Sequence, residues 1–305
     1  MAPGERMSGH LFVFGLGYTA LALARALQVE DWRIAGTTRS AEKQARLAAE
    51  GIEAHLFERG KPLAETAAAL ADTSHLLTSI APDEAGDPVL DHHLADLEGC
   101  ASLVWAGYLG TTGVYGDRGG GWVDETTPVA PTMARTRRRV VAEGRWLASG
   151  LPVQIFRLAG IYGPGLGRNA LEAVRAGTAR RIVKPGQLFG RIHVDDIVQV
   201  LRASIAKPNP GAIYNVADDE PAPPQDVVTF ACQLLGALPP PEIPFAEAEL
   251  SPITRSFYSD NRRICNARIK QELGVVLRYP SYREGLRAIL ERATPNPAGA
   301  SEAAS

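Results

Sequence analysis

With 305 residues, a net charge of −2, 45% hydrophobic and 22% charged residues, the chain can bury a core large enough for one big domain and a smaller companion. The near-neutral balance excludes a general binder of nucleic acid or of a membrane surface, and leaves a small molecule as the expected partner. Three scattered cysteines, Cys100, Cys232 and Cys265, form neither a ligand spacing nor a disulfide framework, so no metal and a reducing, cytoplasmic setting are expected.

Residues 1–10 lack periodicity and read as a tail. Residues 11–14 form a buried strand that runs into Gly15, Leu16, Gly17, Tyr18, Thr19 and Ala20, after which a helix carries Leu21, Leu23, Ala24 and Leu27. A strand, a glycine turn and a helix in that order make a phosphate cradle. Gly15 permits the turn, Gly17 admits a pyrophosphate to the backbone N–H groups, and the helix N-terminus adds partial positive charge. The same stretch also has the outline of a secretory signal, with Arg6 ahead of an apolar run. The glycine pair and the helical rhythm through Leu27 argue against that, and the run falls short of the roughly 20 residues that span a bilayer.

The second strand (32–38) ends where NAD-binding folds put an acidic residue for the ribose diol. Here Thr37, Thr38, Arg39 and Ser40 stand at the tip, with Lys43 one turn on. A guanidinium fork among hydroxyls suits a 2′-phosphate, so NADP is the expected cofactor, with NAD compatible. The cofactor-binding residues are then Gly15, Gly17, Tyr18, Thr19, Thr38, Arg39, Ser40 and Lys43.

A third strand (52–58), a helix (64–71) and a fourth strand (75–80) follow, the last ending at Ala81, also assigned to the cofactor. His92 and His93 lie on the next helix (89–97) and diverge from one another, as adjacent helical residues do. The fifth strand (101–109) leads into Thr111, Thr112, Gly113, Val114 and Tyr115. A long amphipathic helix (133–149) is expected to bury Met133, Val140, Val141, Gly144, Leu147 and Ala148, and a sixth strand (152–158) follows. Alternating strands and helices imply an α/β fold with a doubly wound parallel Rossmann sheet over residues 11–166. Beyond it, mixed elements imply a smaller, partly interleaved substrate lobe over 167–292. The loop at 163–167 is a candidate gate, and residues 293–305 read as a second tail. Asp195 or Asp196 is the expected cap of a helix through Ala206. His193 reads as a hydrogen-bonded structural residue, and Asn215, Asp218 and Asp219 as shaping a turn.

Five segments in order carry a resemblance: the GxGxxA loop, Thr112-Gly113-Val114-Tyr115-Gly116, residues 157–165, residues 191–196 and residues 214–221. Together they resemble the extended short-chain dehydrogenase/reductase superfamily of NAD(P)-dependent epimerases and dehydratases, and the cofactor arginine and the ending at 277–286 resemble its atypical branch. The resemblance implies a Ser/Thr after the fifth strand and a Tyr-x-x-x-Lys on the next helix, with the Tyr moving a proton while hydride moves to or from nicotinamide. Thr111 matches the hydroxyl. Registering Glu143 with the acid one turn past the family's Lys puts Arg139 at the Lys and Arg135 at the Tyr. Arg135 is always protonated and cannot cycle a proton near neutral pH. Arg139 can still bind the cofactor. The two arginines form either an anion site or a solvated face with an Arg139–Glu143 pair. Tyr115 is the best substitute acid. Phe189 stands where relatives carry an Arg for a nucleotide-sugar diphosphate, which argues against that substrate. Relatives often dimerise, so a homodimer is possible. The expected activity is an NADP(H)-dependent oxidoreductase or epimerase/dehydratase acting on an unidentified small molecule. The alternative is a catalytically degenerate NADP(H) sensor.

Overall fold

The computed structural model describes residues 8–165 and 167–293. The two expected tails fall largely on residues 1–7 and 294–305, and the expected domain boundary on Leu166, all outside the described residues. His10, assigned to the first tail, instead opens the first strand.

The first half alternates β1 (His10–Phe14), α1 (Tyr18–Gln28), β2 (Arg33–Thr38), α2 (Ala41–Ala49), β3 (Glu53–Leu56), α3 (Thr66–Ala69), β4 (His75–Thr78), α4 (Pro88–Glu98) and β5 (Trp105–Thr111). Next come β6 (Trp122–Val123), α5 (Ala134–Leu147), β7 (Val153–Leu158), β8 (Gly160–Tyr162), α6 (Ala170–Arg175), β9 (Arg181–Val183), β10 (Arg191–His193) and α7 (Val194–Ala206). The chain closes with β11 (Ile213–Val216), α8 (Pro224–Leu234), β12 (Glu242–Pro244), α9 (Pro252–Phe257), β13 (Arg263–Ile264), α10 (Ala267–Leu273) and α11 (Tyr282–Ala293).

Seven strands form one sheet in the order β11-β7-β5-β4-β1-β2-β3, and every pairing in it is parallel. The sheet is buried on both faces, which is why its strands read as near-continuous apolar runs. Along β1, Leu11 and Val13 pack with α1 and α7, while Phe12 and Phe14 pack with α4 and α5 on the other face. The order reverses between β1 and β4, where a doubly wound sheet opens a crevice at its carboxyl edge. After α7 the chain re-enters the main sheet through β11, which pairs with β7. Of the remaining short pairs, β8–β10 and β9–β12 lie against α6, α8 and α11 in a second layer, while β6–β13 packs on the main core.

Helix α5 corrects the expected stripe. Val141 and Leu147 are exposed, as are Gly144 and Ala148, and the buried face is Thr136, Ala142, Glu143 and Trp146. Trp146 Nε1 donates to Asp87 Oδ2 at 2.9 Å, and Glu143 is paired inside the sheet. Two polar anchors, not the longest run of apolar residues, set the rotation of the helix. Among the described residues no helix is long and apolar enough to cross a membrane.

Candidate active site

Three connected hollows run along the carboxyl edge of the sheet. The first, about 600 Å³, is lined by Gly15, Gly17, Thr38, Arg39, Lys43 and Ala81 among others. Ala81 also lines a second hollow of about 280 Å³ with Thr111, Arg135 and Arg139. Thr111, Phe257, Asp260 and Arg262 are shared between that hollow and a third, of about 520 Å³.

The glycine loop is built by its own backbone. Gly15 has φ +89°, and a Cβ there would meet Ile80 Cγ1 at 2.8 Å, so both conformation and space demand glycine. Its N–H donates to Thr37 Oγ1 at 2.9 Å, and its carbonyl accepts from Ser79 Oγ at 2.8 Å. Leu16 N–H donates to the Thr37 carbonyl at 2.9 Å and Gly17 N–H to the Gly15 carbonyl at 2.7 Å. The loop amides are therefore spent on the turn, and the open donors are the first-turn N–H groups of α1. Ser40, Asp87 and Asn169 cap α2, α4 and α6 with side-chain oxygens, whereas Gly17 caps α1 with none. A Cβ at Gly17 would meet nothing of the protein closer than 3.7 Å. Missing side chain and unspent donors together leave room for an anion against the helix dipole.

The other expected cofactor residues divide by role. Arg39 is exposed, and among the described residues no carboxylate lies within ion-pair distance of it. Lys43 Nζ donates to the Leu16 carbonyl at 2.5 Å, and burial lowers its pKa; it buttresses the glycine loop from the hollow's wall. Ser40 caps α2 by accepting from Lys43 N–H at 3.2 Å, and Thr38 Oγ1 accepts from Ser40 N–H at 3.3 Å. Tyr18 lies outside the hollow: its hydroxyl donates to the Pro164 carbonyl at 2.8 Å and Arg168 covers its ring at 4.6 Å. Thr19 is buried in α1. Sequence reasoning placed Thr37 only at the strand tip and passed over Ser79, the two side chains that clamp Gly15, and Arg59, held over the hollow by Asp83 at 2.5 Å and Asp91 at 2.8 Å. These pairs span long sequence separations, and no local signal marks them.

At the other end, Thr111 caps the turn Thr112–Tyr115, its Oγ1 accepting from Gly113 N–H at 3.1 Å. Its hydroxyl proton remains available to the hollows. Arg139 Nη1 donates to Tyr108 Oη at 3.1 Å and to the Leu109 carbonyl at 2.9 Å. Arg135 crosses the cleft: its Nη1 donates to Ser256 Oγ at 2.8 Å and its guanidinium covers the Phe257 ring at 4.8 Å. It ties α5 to α9.

Tyr115 is not brought into the cleft. It is fully buried, its hydroxyl donates to Asn215 Oδ1 at 2.8 Å and accepts from Arg157 Nη1 at 3.0 Å, and burial pushes its pKa up. Nor does Glu143 pair with Arg139. Arg157 donates to Glu143 Oε2 from Nη2 at 2.8 Å and Nε at 3.1 Å, deep inside the protein. The carboxyl that does reach the second and third hollows is Asp260, which is buried and accepts from Thr132 Oγ1 at 2.8 Å and Arg262 Nη1 at 3.1 Å. It lies far along the chain from Thr111, and no motif points to it.

Other expectations resolve locally. His193 caps α7, its Nδ1 accepting from Asp195 N–H at 3.1 Å. Asp196 instead accepts from Arg278 and Tyr279 N–H at 2.6 and 3.1 Å, so neither aspartate is the cap. His93 is buried between Leu63 N–H and Asp96, while His92 is exposed. Asn215 joins the Tyr115 network, Asp219 accepts from Asn266 Nδ2 at 2.6 Å, and Asp218 is buried without a side-chain partner.

Comparison with solved structures places this geometry. A functionally unknown conserved protein from Silicibacter pomeroyi is 52% identical with a TM-score of 0.85, covering 93% of this chain and 99% of its own. A Methylobacillus flagellatus protein assigned as an NAD-dependent epimerase/dehydratase is 26% identical with a TM-score of 0.69, covering 94% and 98%. The chain's neighbours among solved structures include NAD-dependent epimerases and dehydratases, and the chain shares their fold. No protein-family model matches the chain. Protein YeeZ of Escherichia coli is 29% identical over 285 residues, 88% of this chain and 95% of its own. A 3-diazoavenalumate denitrifying reductase of Streptomyces is 32% identical over 184 residues, covering 54% of this chain and 58% of that one.

Proposed function

We propose that the chain is an NADP(H)-dependent oxidoreductase acting on a small molecule at the junction of the second and third hollows. The observation that carries this reading is the continuous run of hollows from the open N-terminus of α1, past Arg39 and Ala81, to Thr111 and Asp260. First-turn N–H groups of α1 would hold the diphosphate, and Arg39 with Thr38 the 2′-phosphate. Arg139 would line the nicotinamide end. The cofactor supplies hydride chemistry when bound. Thr111 donates a hydrogen bond to a substrate oxygen. Asp260, the carboxyl common to both hollows, exchanges the proton that the family assigns to tyrosine, and Arg262 and Thr132 fix its orientation. The named activities of the Methylobacillus and Streptomyces relatives, both nicotinamide-type or reductive, are consistent with this class.

Fluorescence titration of the purified chain with NADPH and NADH tests the reading. A charge-assisted contact of roughly 1.5–3 kcal/mol corresponds to a ten- to hundredfold loss of NADPH affinity in Arg39→Ala, with NADH unchanged. Equal losses for both nucleotides contradict the phosphate assignment, and no NADPH binding overturns the whole reading.

A second reading, an NADP(H) sensor without turnover, is favoured by one observation: neither Arg135 nor the sealed Tyr115 offers a proton to the hollows. Sustained NADPH consumption with any metabolite, lost in Asp260→Asn, excludes it.

A further inference from the structure

The geometry points to the third hollow as the seat of a small aromatic carboxylic acid, its carboxylate gripped by Arg191. This rests on the reading above for the reaction but not for the anion. The second and third hollows are lined by four guanidiniums, Arg135, Arg139, Arg191 and Arg262, against the single carboxylate Asp260. Arg262 is paired with Asp260 and donates to the Gly116 carbonyl at 2.8 Å, Arg135 lies on Ser256 and Phe257, and Arg139 holds the end of β5.

Arg191 differs. Its Nη1 donates to the Phe189 and Ala222 carbonyls at 2.9 and 3.0 Å, which fixes the plane of the fork. Among the described residues, Nε and Nη2 have no partner, and no carboxylate lies within ion-pair distance. Asp218, the carboxyl acting most strongly on it, is itself buried, and burial pushes its pKa up to about 8. At neutral pH Asp218 is therefore mostly protonated and supplies little counter-charge. A guanidinium held in a wall without a counter-ion costs free energy that an incoming anion relieves. A rigid fork with two free N–H directions matches the two oxygens of a carboxylate.

The rest of the wall selects the body of the ligand. Phe189 packs edge-to-face on Tyr258 with ring centroids 5.2 Å apart, and Phe257 and Ile161 complete an apolar surface. Position 189 is aromatic rather than cationic, so the hollow offers one anion seat beside rings, not a diphosphate clamp. This apolar wall would cover the face of a ring, with the reacting end turned toward Thr111.

The experiment is calorimetric titration of the full chain, with and without saturating NADP⁺, using benzoate, trans-cinnamate and phenylpyruvate. Benzamide, cinnamamide and phenyl phosphate serve as comparisons. At least one acid is expected to bind about tenfold or more tighter than the amides. Arg191→Met is expected to erase that preference without changing NADP⁺ affinity, and Arg191→Lys to keep part of it. Overturning results are acids binding no better than amides, an undiminished preference in folded Arg191→Met, or phenyl phosphate binding where the acids do not. If Arg191→Met fails to fold, Arg191→Lys and the acid-against-amide comparison on the native chain decide. Failure of NADP⁺ to bind in the same titrations strikes the cofactor reading alone, because the acids are titrated in its absence as well.

Discussion

Two polar clusters flank the end of β5, and they have opposite fates. Behind the strand, Tyr115, Asn215, Arg157 and Glu143 are hydrogen-bonded in one chain, with Glu143 Oε1 left unpartnered, and all four are buried. In front of it, Thr111, Asp260 and Arg262 reach two hollows. Both clusters contain a hydroxyl, an arginine and a carboxylate, so composition does not distinguish them. Access does. A hydroxyl four residues past Thr111 serves packing when its proton is spent on a buried amide. A carboxyl far along the chain lines the hollows when the fold brings it to the strand's end.

The sharpest way to break the contrast is to unbalance the sealed cluster. Glu143→Ala leaves the Arg157 guanidinium buried and unpaired, and is expected to cost about 3–5 kcal/mol in urea unfolding. A loss below about 1 kcal/mol would mean that the cluster is open to water. Tyr115→Phe removes a donor to Asn215 and an acceptor from Arg157, for an expected cost of about 1–3 kcal/mol, while NADPH affinity stays unchanged. If the variant keeps its stability but loses cofactor-dependent turnover, Tyr115 is reactive after all and the two clusters exchange roles.

Helix α5 lies between the two clusters and marks where sequence stops being informative. The glycine loop was legible because it works within a few residues, where strand, turn and helix periodicities are local. The buried face of α5 was not. Val141 and Leu147 look like core residues and face solvent, while Thr136 and Glu143 look like surface residues and face inward. A polar residue is buried when a partner awaits it, and the partner of Glu143 lies on β7, which hydropathy along the helix cannot register. Asp260, Arg262 and Arg191 were missed for the same reason. They approach Thr111 only through the crossing of the second lobe over the sheet. His193 was legible as a structural residue but not as the cap of α7, a role that its neighbours Asp195 and Asp196 advertise more strongly.

A smaller effect concerns pH. Burial lowers the pKa of His75 to about 4, and that of His193 likewise to about 4. Both imidazoles are neutral in the folded chain and protonate more readily when it unfolds, so each removes stability as pH falls from its unfolded value near 6.5 toward 4. Asp218 acts in the opposite sense, because its raised pKa favours the fold at low pH. The difference between wild type and His75→Asn isolates one histidine. Between pH 6.5 and pH 5 the wild type should lose about 1–2 kcal/mol more than the variant. Parallel losses would mean that His75 is reached by water in the folded state.

The central claim is that the open front of the sheet's edge is a dinucleotide cleft with its reactive end at Thr111 and Asp260. A crystal structure of the chain grown with NADP⁺ tests it most directly. The account predicts the diphosphate on the N–H groups of Tyr18 and Thr19, the 2′-phosphate on Arg39, and the nicotinamide ring between Arg139 and the Thr111 hydroxyl. An empty cleft at saturating NADP⁺, or a nicotinamide turned away from Thr111 and Asp260, contradicts it.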